Sequence, residues 1–394
     1  MRLALVTSYP PSRGSLNEYA FHFVNHLRQK PEIEEVIIIA DQLPAGTPED
    51  SFSAQGARLS IDRAWQFGKA DNALRIRRAV QRHQPDAVLF NIQFASFADS
   101  RLAGALGLTA PRLVKQAGYL TLVLLHNIME VVDLGKAGFG GNPLMERLTR
   151  LAGNLFTRLL LSADLVAVTI PKYVEILEAK YKAQNVFLAP HGAFEVPPLP
   201  NFDVPTQPYQ IMTFGKFGTY KRVEALVEAF DILQKEQKYP LELVIAGTDS
   251  PNAKGYLESV RQRYPHVPQV RYTGYVAEED VPHIFQEAAV VVFPYNSTTG
   301  SSGVLHQAGS YGKAVTLPRL GDFIELIEEE GYVGESFVPD EPVSMAKAIA
   351  RYLDDPAYRQ HCGRMNYQAS VGLPMDEIVD WYLLHIASLR HQRT

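Results

Sequence analysis

From residue 2 onward, short apolar runs alternate with longer stretches in which apolar residues recur every three or four positions. The short runs, Leu3–Thr7, Val36–Ala40, Ala87–Asn91, Leu120–His126, Leu165–Thr169 and Val186–Leu188, are largely unbroken by polar residues. Such runs suit parallel strands covered on both faces. Helical periodicity falls between most of them, at about Leu16–Gln29, Asn72–His83, Ser100–Ala117, Pro143–Ser162 and Pro171–Lys180. A proline-rich stretch, Val196 to Pro205, then interrupts the pattern and reads as a semi-stiff connector. Beyond it the alternation restarts. Strands are expected at about Ile211–Phe214, Leu243–Ala246, Val270–Thr273, Ala289–Phe293 and Ala314–Leu317, and helices at about Arg222–Gln237, Ala253–Tyr264, Glu279–Glu287, Val304–Tyr311 and Ser344–Leu353. The stretch Met375–Ile386 reads as a last amphipathic helix.

This pattern predicts an α/β protein of two doubly wound, Rossmann-like domains with a cleft between them. The expected division is 1–195, a linker at 196–208, and 209–370, with a helix at 371–394 packing back on the first domain. At 394 residues the chain is long for one core, which agrees. Ligands of such sheets sit at the carboxyl ends of the strands, so the loops there are where chemistry is sought.

Composition narrows the class. Apolar residues make up 46% and charged residues 21%, as in a soluble globular protein. The single cysteine, Cys362, excludes an internal disulfide framework. A strand beginning at residue 2 leaves no room for a signal peptide, and no run of about 18 apolar residues reads as a membrane span. The expected location is therefore cytoplasmic. Residues 1–195 hold 21 Lys and Arg against 18 Asp and Glu, and the remainder holds 17 against 25. No dense basic stripe appears, which argues against a nucleic-acid partner. Weak attraction of the first domain to an anionic membrane surface stays open.

Two loops of the second domain carry candidate chemistry. The strand Ala289–Phe293 stops at Pro294, and the polar loop Asn296–Gly303 feeds a helix. Small residues at a helix start leave amides unpaired at the positive end of the dipole, a site for phosphate or diphosphate. Ser301 or Ser302 acting as a simple N-cap is the plainer alternative. After Ile211–Phe214 comes Gly215-Lys216-Phe217-Gly218-Thr219-Tyr220-Lys221-Arg222. Its glycine admits close backbone approach, and its two lysines either face a diphosphate or lie on solvated surface.

The order of these pieces, followed by LVIAG at 243–247, VRYTGYV at 270–276 and AGSYGKAV at 308–315, resembles the donor domain of GT-B glycosyltransferases. The family 4 retaining nucleotide-sugar enzymes are the nearest match. In the first half Ser8–Ser15, Leu125-His126-Asn127, Ser162-Ala163-Asp164-Leu165 and Ala189-Pro190-His191-Gly192 resemble further signposts of that family. The resemblance implies that Lys216 and Lys221 grip the donor diphosphate and that Gly14 and Ser15 face the donor phosphate and acceptor. It implies that the amides of Ser301, Ser302 and Gly303 form the helix start that neutralises the leaving diphosphate, that Gly300 joins them in donor binding, and that Thr299 lies by the donor sugar and Gln307 beside the ribose. His126 then lies near the donor sugar; the alternative is a histidine that caps a strand end. Lys216 stands where the family usually has arginine. Thr299 and Gln307 stand where it usually has two glutamates, and a glutamine amide can still hydrogen-bond ribose hydroxyls. A pair of the same spacing, Glu279 and Glu287, falls on the preceding helix and reads as coincidence.

The expected activity is transfer of a sugar from a nucleotide diphosphate sugar to a saccharide or lipid-linked hydroxyl, with retention, in glycan or glycolipid biosynthesis. No cofactor or metal is expected, since lysines and amides supply the positive charge and no Asp-x-Asp cluster ends a strand. Two alternatives remain: a sugar-nucleotide epimerase of similar build, and a binding module that keeps the fold without turnover. The stripe Leu144, Leu148, Leu151 and Leu155, with Arg147, Arg150 and Arg158, reads either as a helix packed on the sheet or as an interfacial one, with the packed helix the ordinary case.

Overall fold

A computed structural model describes residues 1–12, 14, 16–49, 55–131, 143–195, 197–205, 208–236, 238–250, 253–297 and 302–393. For 101, 143–150, 278 and 322 it describes the backbone alone. The chain forms two compact units, one of residues 1–194 with 375–393, the other of 195–297 with 302–374.

The first unit is built on a seven-stranded parallel sheet. Its strands are β1 (Arg2–Val6), β2 (Glu35–Asp41), β3 (Arg58–Trp65), β4 (Ala87–Ile92), β5 (Leu120–Leu125), β6 (Leu165–Val168) and β7 (Val186–Leu188), in the order β3-β2-β1-β4-β5-β6-β7. Strands β2, β4, β5 and β6 are buried throughout, which is why their sequences lack alternation. The helices are α1 (Asn17–Leu27), α2 (Asn72–His83), α3 (Arg101–Gly107), α4 (Ala110–Gln116), α5 (Pro143–Leu160) and α6 (Pro171–Tyr181). The strand order reverses between β1 and β4, a topological switch point.

Three sequence expectations need correction here. Strand β3 went unread because it is an edge strand whose polar and charged residues, RLSIDRAW, remain half exposed. The single helix expected over Ser100–Ala117 is two, because Pro111 in the first turn of α4 cannot donate back into a preceding helix. In α5 the described half of the leucine stripe does not pack on the sheet: Leu151 and Leu155 are 57% and 56% exposed, while Gly153, Thr157 and Leu160 are buried. The side chains of Leu144 and Leu148 lie outside the described residues.

The second unit has a six-stranded parallel sheet of β8 (Tyr209–Phe217), β9 (Leu241–Asp249), β10 (Val270–Gly274), β11 (Ala288–Val292), β12 (Ala314–Pro318) and β13 (Gly334–Phe337). The order is β10-β9-β8-β11-β12-β13, with the switch point between β8 and β11. Its helices are α7 (Glu224–Lys235), α8 (Tyr256–Arg263), α9 (Val281–Glu287), α10 (Gly303–Ser310), α11 (Gly321–Glu330), α12 (Pro342–Asp354) and α13 (Pro356–Val371). Edge strand β13 and helices α11 and α13 were not expected from the sequence. The described part of the proline-rich stretch, 197–205, has neither helix nor strand and lies along this unit. Phe202 meets Tyr367 at 6.2 Å between ring centroids and Arg364 at 5.3 Å, and Gln360 Nε2 donates to Asp203 Oδ1 at 2.6 Å.

The last helix, α14 (Met375–Arg393), belongs to the first unit. It buries Met375, Ile378, Val379, Tyr382, Leu383 and Ile386 in the core that also holds Tyr19 and Phe23 of α1. Among the described residues no helix is long and apolar enough to cross a membrane.

Candidate functional site

In the second unit the two candidate loops leave the sheet from adjacent strands, β8 and β11, on either side of the switch point. They are joined directly. The Arg222 amide donates to the Pro294 carbonyl at 2.9 Å, and the Asn296 amide to the Tyr220 carbonyl at 3.0 Å. Lys221 and Tyr295 form an antiparallel bridge between them.

Strand β8 runs further than expected, to Phe217, so Gly215 and Lys216 are strand residues paired with Gly247 and Thr248 of β9. Gly215 has φ of +137°, a conformation that favours glycine. A Cβ there would lie 2.7 Å from the Lys221 Nζ, so the missing side chain is what gives this ammonium its place. Lys216 is exposed. The two lysines therefore do not share one loop: one lies on the strand, the other is packed back against it.

At the end of β11, α10 begins at Gly303 with Ser302 in an extended N-cap conformation and no side-chain cap. The first intrahelical bond to Ser302 comes from the Leu305 amide at 2.9 Å, so the Gly303 and Val304 amides point from the helix start without an intrahelical acceptor. Gln307 lies one turn on and is 9% exposed. Thr299, Gly300 and Ser301 lie outside the described residues. Glu287 accepts from Gln210 Nε2 at 3.3 Å, at the amino end of β8, the opposite end of the sheet from Lys216.

In the first unit His126 follows β5, 8% exposed. Its Nε2 is 2.6 Å from Asn91 Oδ1; Asn91 Nδ2 donates to Thr7 Oγ1 at 3.0 Å, and Thr7 Oγ1 donates to the Ser8 carbonyl at 3.0 Å. A carbonyl only accepts, so it fixes the direction of the whole relay: Nε2 of His126 carries the proton and Nδ1 is the acceptor. Burial, with His191 adding to it, holds His126 well below the usual imidazole range, so the ring is neutral. The relay crosses the switch point from β1 through β4 to β5. Tyr19 packs its ring edge-on against both His126 and His191, each at 4.8 Å between centroids.

Gly14 lies in the loop after β1. Its amide donates to Ser12 Oγ at 3.1 Å, and Ser12 Oγ donates to Asp41 at the end of β2. A Cβ on Gly14 would run into the Ser8 side chain. Arg63 of β3 ties the same loop down through the Tyr9 and Pro10 carbonyls, at 2.8 and 2.6 Å. Ser15 lies outside the described residues. Sequence reasoning missed Asn91, Asp41 and Tyr295; the first two are detectable as polar residues closing otherwise apolar strands.

Residues 208–355 match the family model described as Glycosyl transferases group 1. The whole chain superposes on sucrose-phosphate synthase from Thermosynechococcus elongatus with a TM-score of 0.73, at 18% identity, covering 100% of this chain and 98% of that one. The chain has the GT-B fold. The GT-B fold and the resemblance read from the sequence are thus borne out. A second GT-B likeness is to Anabaena HepE, solved in complex with UDP-glucose, with a TM-score of 0.68 at 16% identity over 98% of this chain and 100% of that one. By sequence the chain is 22% identical over 189 residues to the O-antigen chain mannosyltransferase B of Escherichia coli. That alignment spans 47% of each protein, about half the length of this relative.

Proposed function

We propose that this GT-B protein is a retaining glycosyltransferase that moves a sugar from a nucleotide diphosphate sugar to a hydroxyl of a saccharide or lipid-linked acceptor. The observation that carries the reading is the ammonium of Lys221 seated over Gly215 at the β8–β11 switch point, on a loop bonded to the one that leads toward α10. A diphosphate needs positive charge and unpaired donors, and those are what this corner collects.

In the proposed reaction the acceptor oxygen bonds to the anomeric carbon as the bond from that carbon to the diphosphate oxygen breaks. The acceptor proton passes to the departing diphosphate. Negative charge grows on the leaving group, so fixed donors are worth most in the transition state. Lys221, Lys216 and the Gly303 and Val304 amides supply them, which leaves the reaction without need of a metal. The family resemblance gives His126 of the first unit a role toward the donor sugar; neutral and oriented by Asn91, it offers Nδ1 as an acceptor to a hydroxyl.

HepE was solved with UDP-glucose and the Escherichia coli relative is named a mannosyltransferase, which supports sugar transfer from a nucleotide-sugar donor here. Exposure of Leu151 and Leu155 on α5 favours weak contact with a membrane face, which suits a lipid-linked acceptor. Incubation with UDP-, GDP- and ADP-sugars, each with and without saccharide acceptors, tests the reading. Nucleotide diphosphate released only with acceptor supports transfer; binding without release points to a silent module.

A further inference from the structure

Tyr295 occupies the first position after Pro294 and is 3% exposed. Three aromatic rings stand edge-on around it: Tyr220 at 5.4 Å and 84°, Phe293 at 5.5 Å and 74°, and Phe323 of α11 at 5.9 Å and 86°. Edge-to-face packing on three sides fixes the plane of the ring. The Lys221 Nζ lies 4.9 Å from the Tyr295 centroid and 5.9 Å from that of Tyr220. Burial raises the Tyr295 phenol far above its usual range, so it stays neutral and the attraction comes from the ring.

A lysine side chain is long and loses entropy when ordered, so an ammonium held in advance binds an anion at lower cost. An aromatic face holds a cation best where water is excluded. Lys216, by contrast, is exposed on β8.

We propose that Tyr295 is a positioning residue for the donor diphosphate: its fixed ring holds the Lys221 ammonium at the switch point before the ligand arrives. The inference rests on the donor-site reading above and adds a residue that the family resemblance did not supply.

Two measurements test it. In the first, lysines are labelled by reductive 13C-dimethylation and the Lys221 resonance is identified by its loss in Lys221→Arg. Ring currents displace that resonance upfield in the wild type and in Tyr295→Phe; in Tyr295→Leu it joins the surface lysines. In the second, UDP, GDP and ADP are titrated calorimetrically. Tyr295→Leu weakens the diphosphate that binds by about tenfold and Tyr295→Phe by less than about twofold. On a Lys221→Met background Tyr295→Leu has no further effect, which a merely structural role would not produce. Tyr295→Met, similar in bulk and without the ring face, takes the place of Tyr295→Leu if the latter fails to fold. Equal losses with and without Lys221, or a Tyr295→Phe loss as large as that of Tyr295→Leu, overturn the proposal. If the wild type binds none of the three diphosphates, the donor-site reading falls and the proposal with it. The lysine spectrum then shows separately whether the ring holds Lys221.

Discussion

Gly247 of β9 stands directly opposite Gly215 of β8, and a Cβ on Gly247 would collide with the Gly215 carbonyl oxygen. Both have positive φ, +132° and +137°. Two strands thus bend together at their carboxyl ends, which makes room over Gly215 for the Lys221 ammonium. Ordinary side chains cannot follow that path.

The two glycines predict different failures. Gly247→Ala meets backbone, which cannot yield, and should cost about 3 kcal/mol or more of stability, read by denaturant unfolding. Gly215→Ala meets the mobile end of Lys221 and should cost about 1–2 kcal/mol. Its larger effect is a loss of about tenfold or more in nucleotide diphosphate affinity, because the ammonium is displaced.

Lys221 and Lys216 should also differ. Replacing Lys221 with alanine removes a charge held in place and should weaken diphosphate binding by about 1.5–3 kcal/mol. The same change at exposed Lys216 should cost about 1 kcal/mol or less. Thermal unfolding of both variants should match the wild type, which calorimetry and a melting curve check together.

Asn91 should matter through His126. Asn91→Ala removes the acceptor for Nε2–H in a buried site and frees the ring to change tautomer. Transfer should slow by about tenfold in kcat with KM for the donor changed less. A 15N spectrum of the imidazole should show the Nε2–H tautomer in the wild type and a mixture in the variant.

The two units should respond to pH in opposite directions. Burial lowers His191 from 6.5 to about 4 and lowers His126 as well. Between those values the unfolded chain binds protons that the folded first unit refuses, so its stability falls as pH drops from 6.5 toward 4. Burial raises Glu330 from 4.5 to about 8, although His306 Nε2 lies 3.5 Å from its Oε2. Here the folded state holds the extra proton, and stability falls as pH rises from 4.5 through 8. Glu330→Gln should therefore raise Tm by about 3 °C or more at pH 8.5 and change it little at pH 5, measured by calorimetry.

Much of this was legible in the sequence for a physical reason. Buried parallel strands such as Val36–Ala40 and Ala289–Phe293 are apolar on both faces, so they stand out without any knowledge of partners. The edge strands Arg58–Trp65 and Gly334–Phe337 keep one side in water and look like loops. Gly215 and Lys221 could be named from their place at the carboxyl end of a strand. Tyr295 could not, since its role depends on Phe323, 28 positions away in the chain, and on a ring orientation that packing alone decides. Asn91 was visible as a polar residue near the end of an apolar strand, but its partner His126 follows another strand and the pairing was not legible.

The central claim is that the corner between β8 and β11 exists to hold a diphosphate. It is tested most directly by titrating UDP, GDP and ADP, alongside the matching nucleosides, into the wild type and Lys221→Ala. The account predicts that one diphosphate binds at least about tenfold more tightly than its nucleoside, and that Lys221→Ala erases most of that difference. A nucleoside that binds as well as its diphosphate, or a preference untouched by Lys221→Ala, would contradict it.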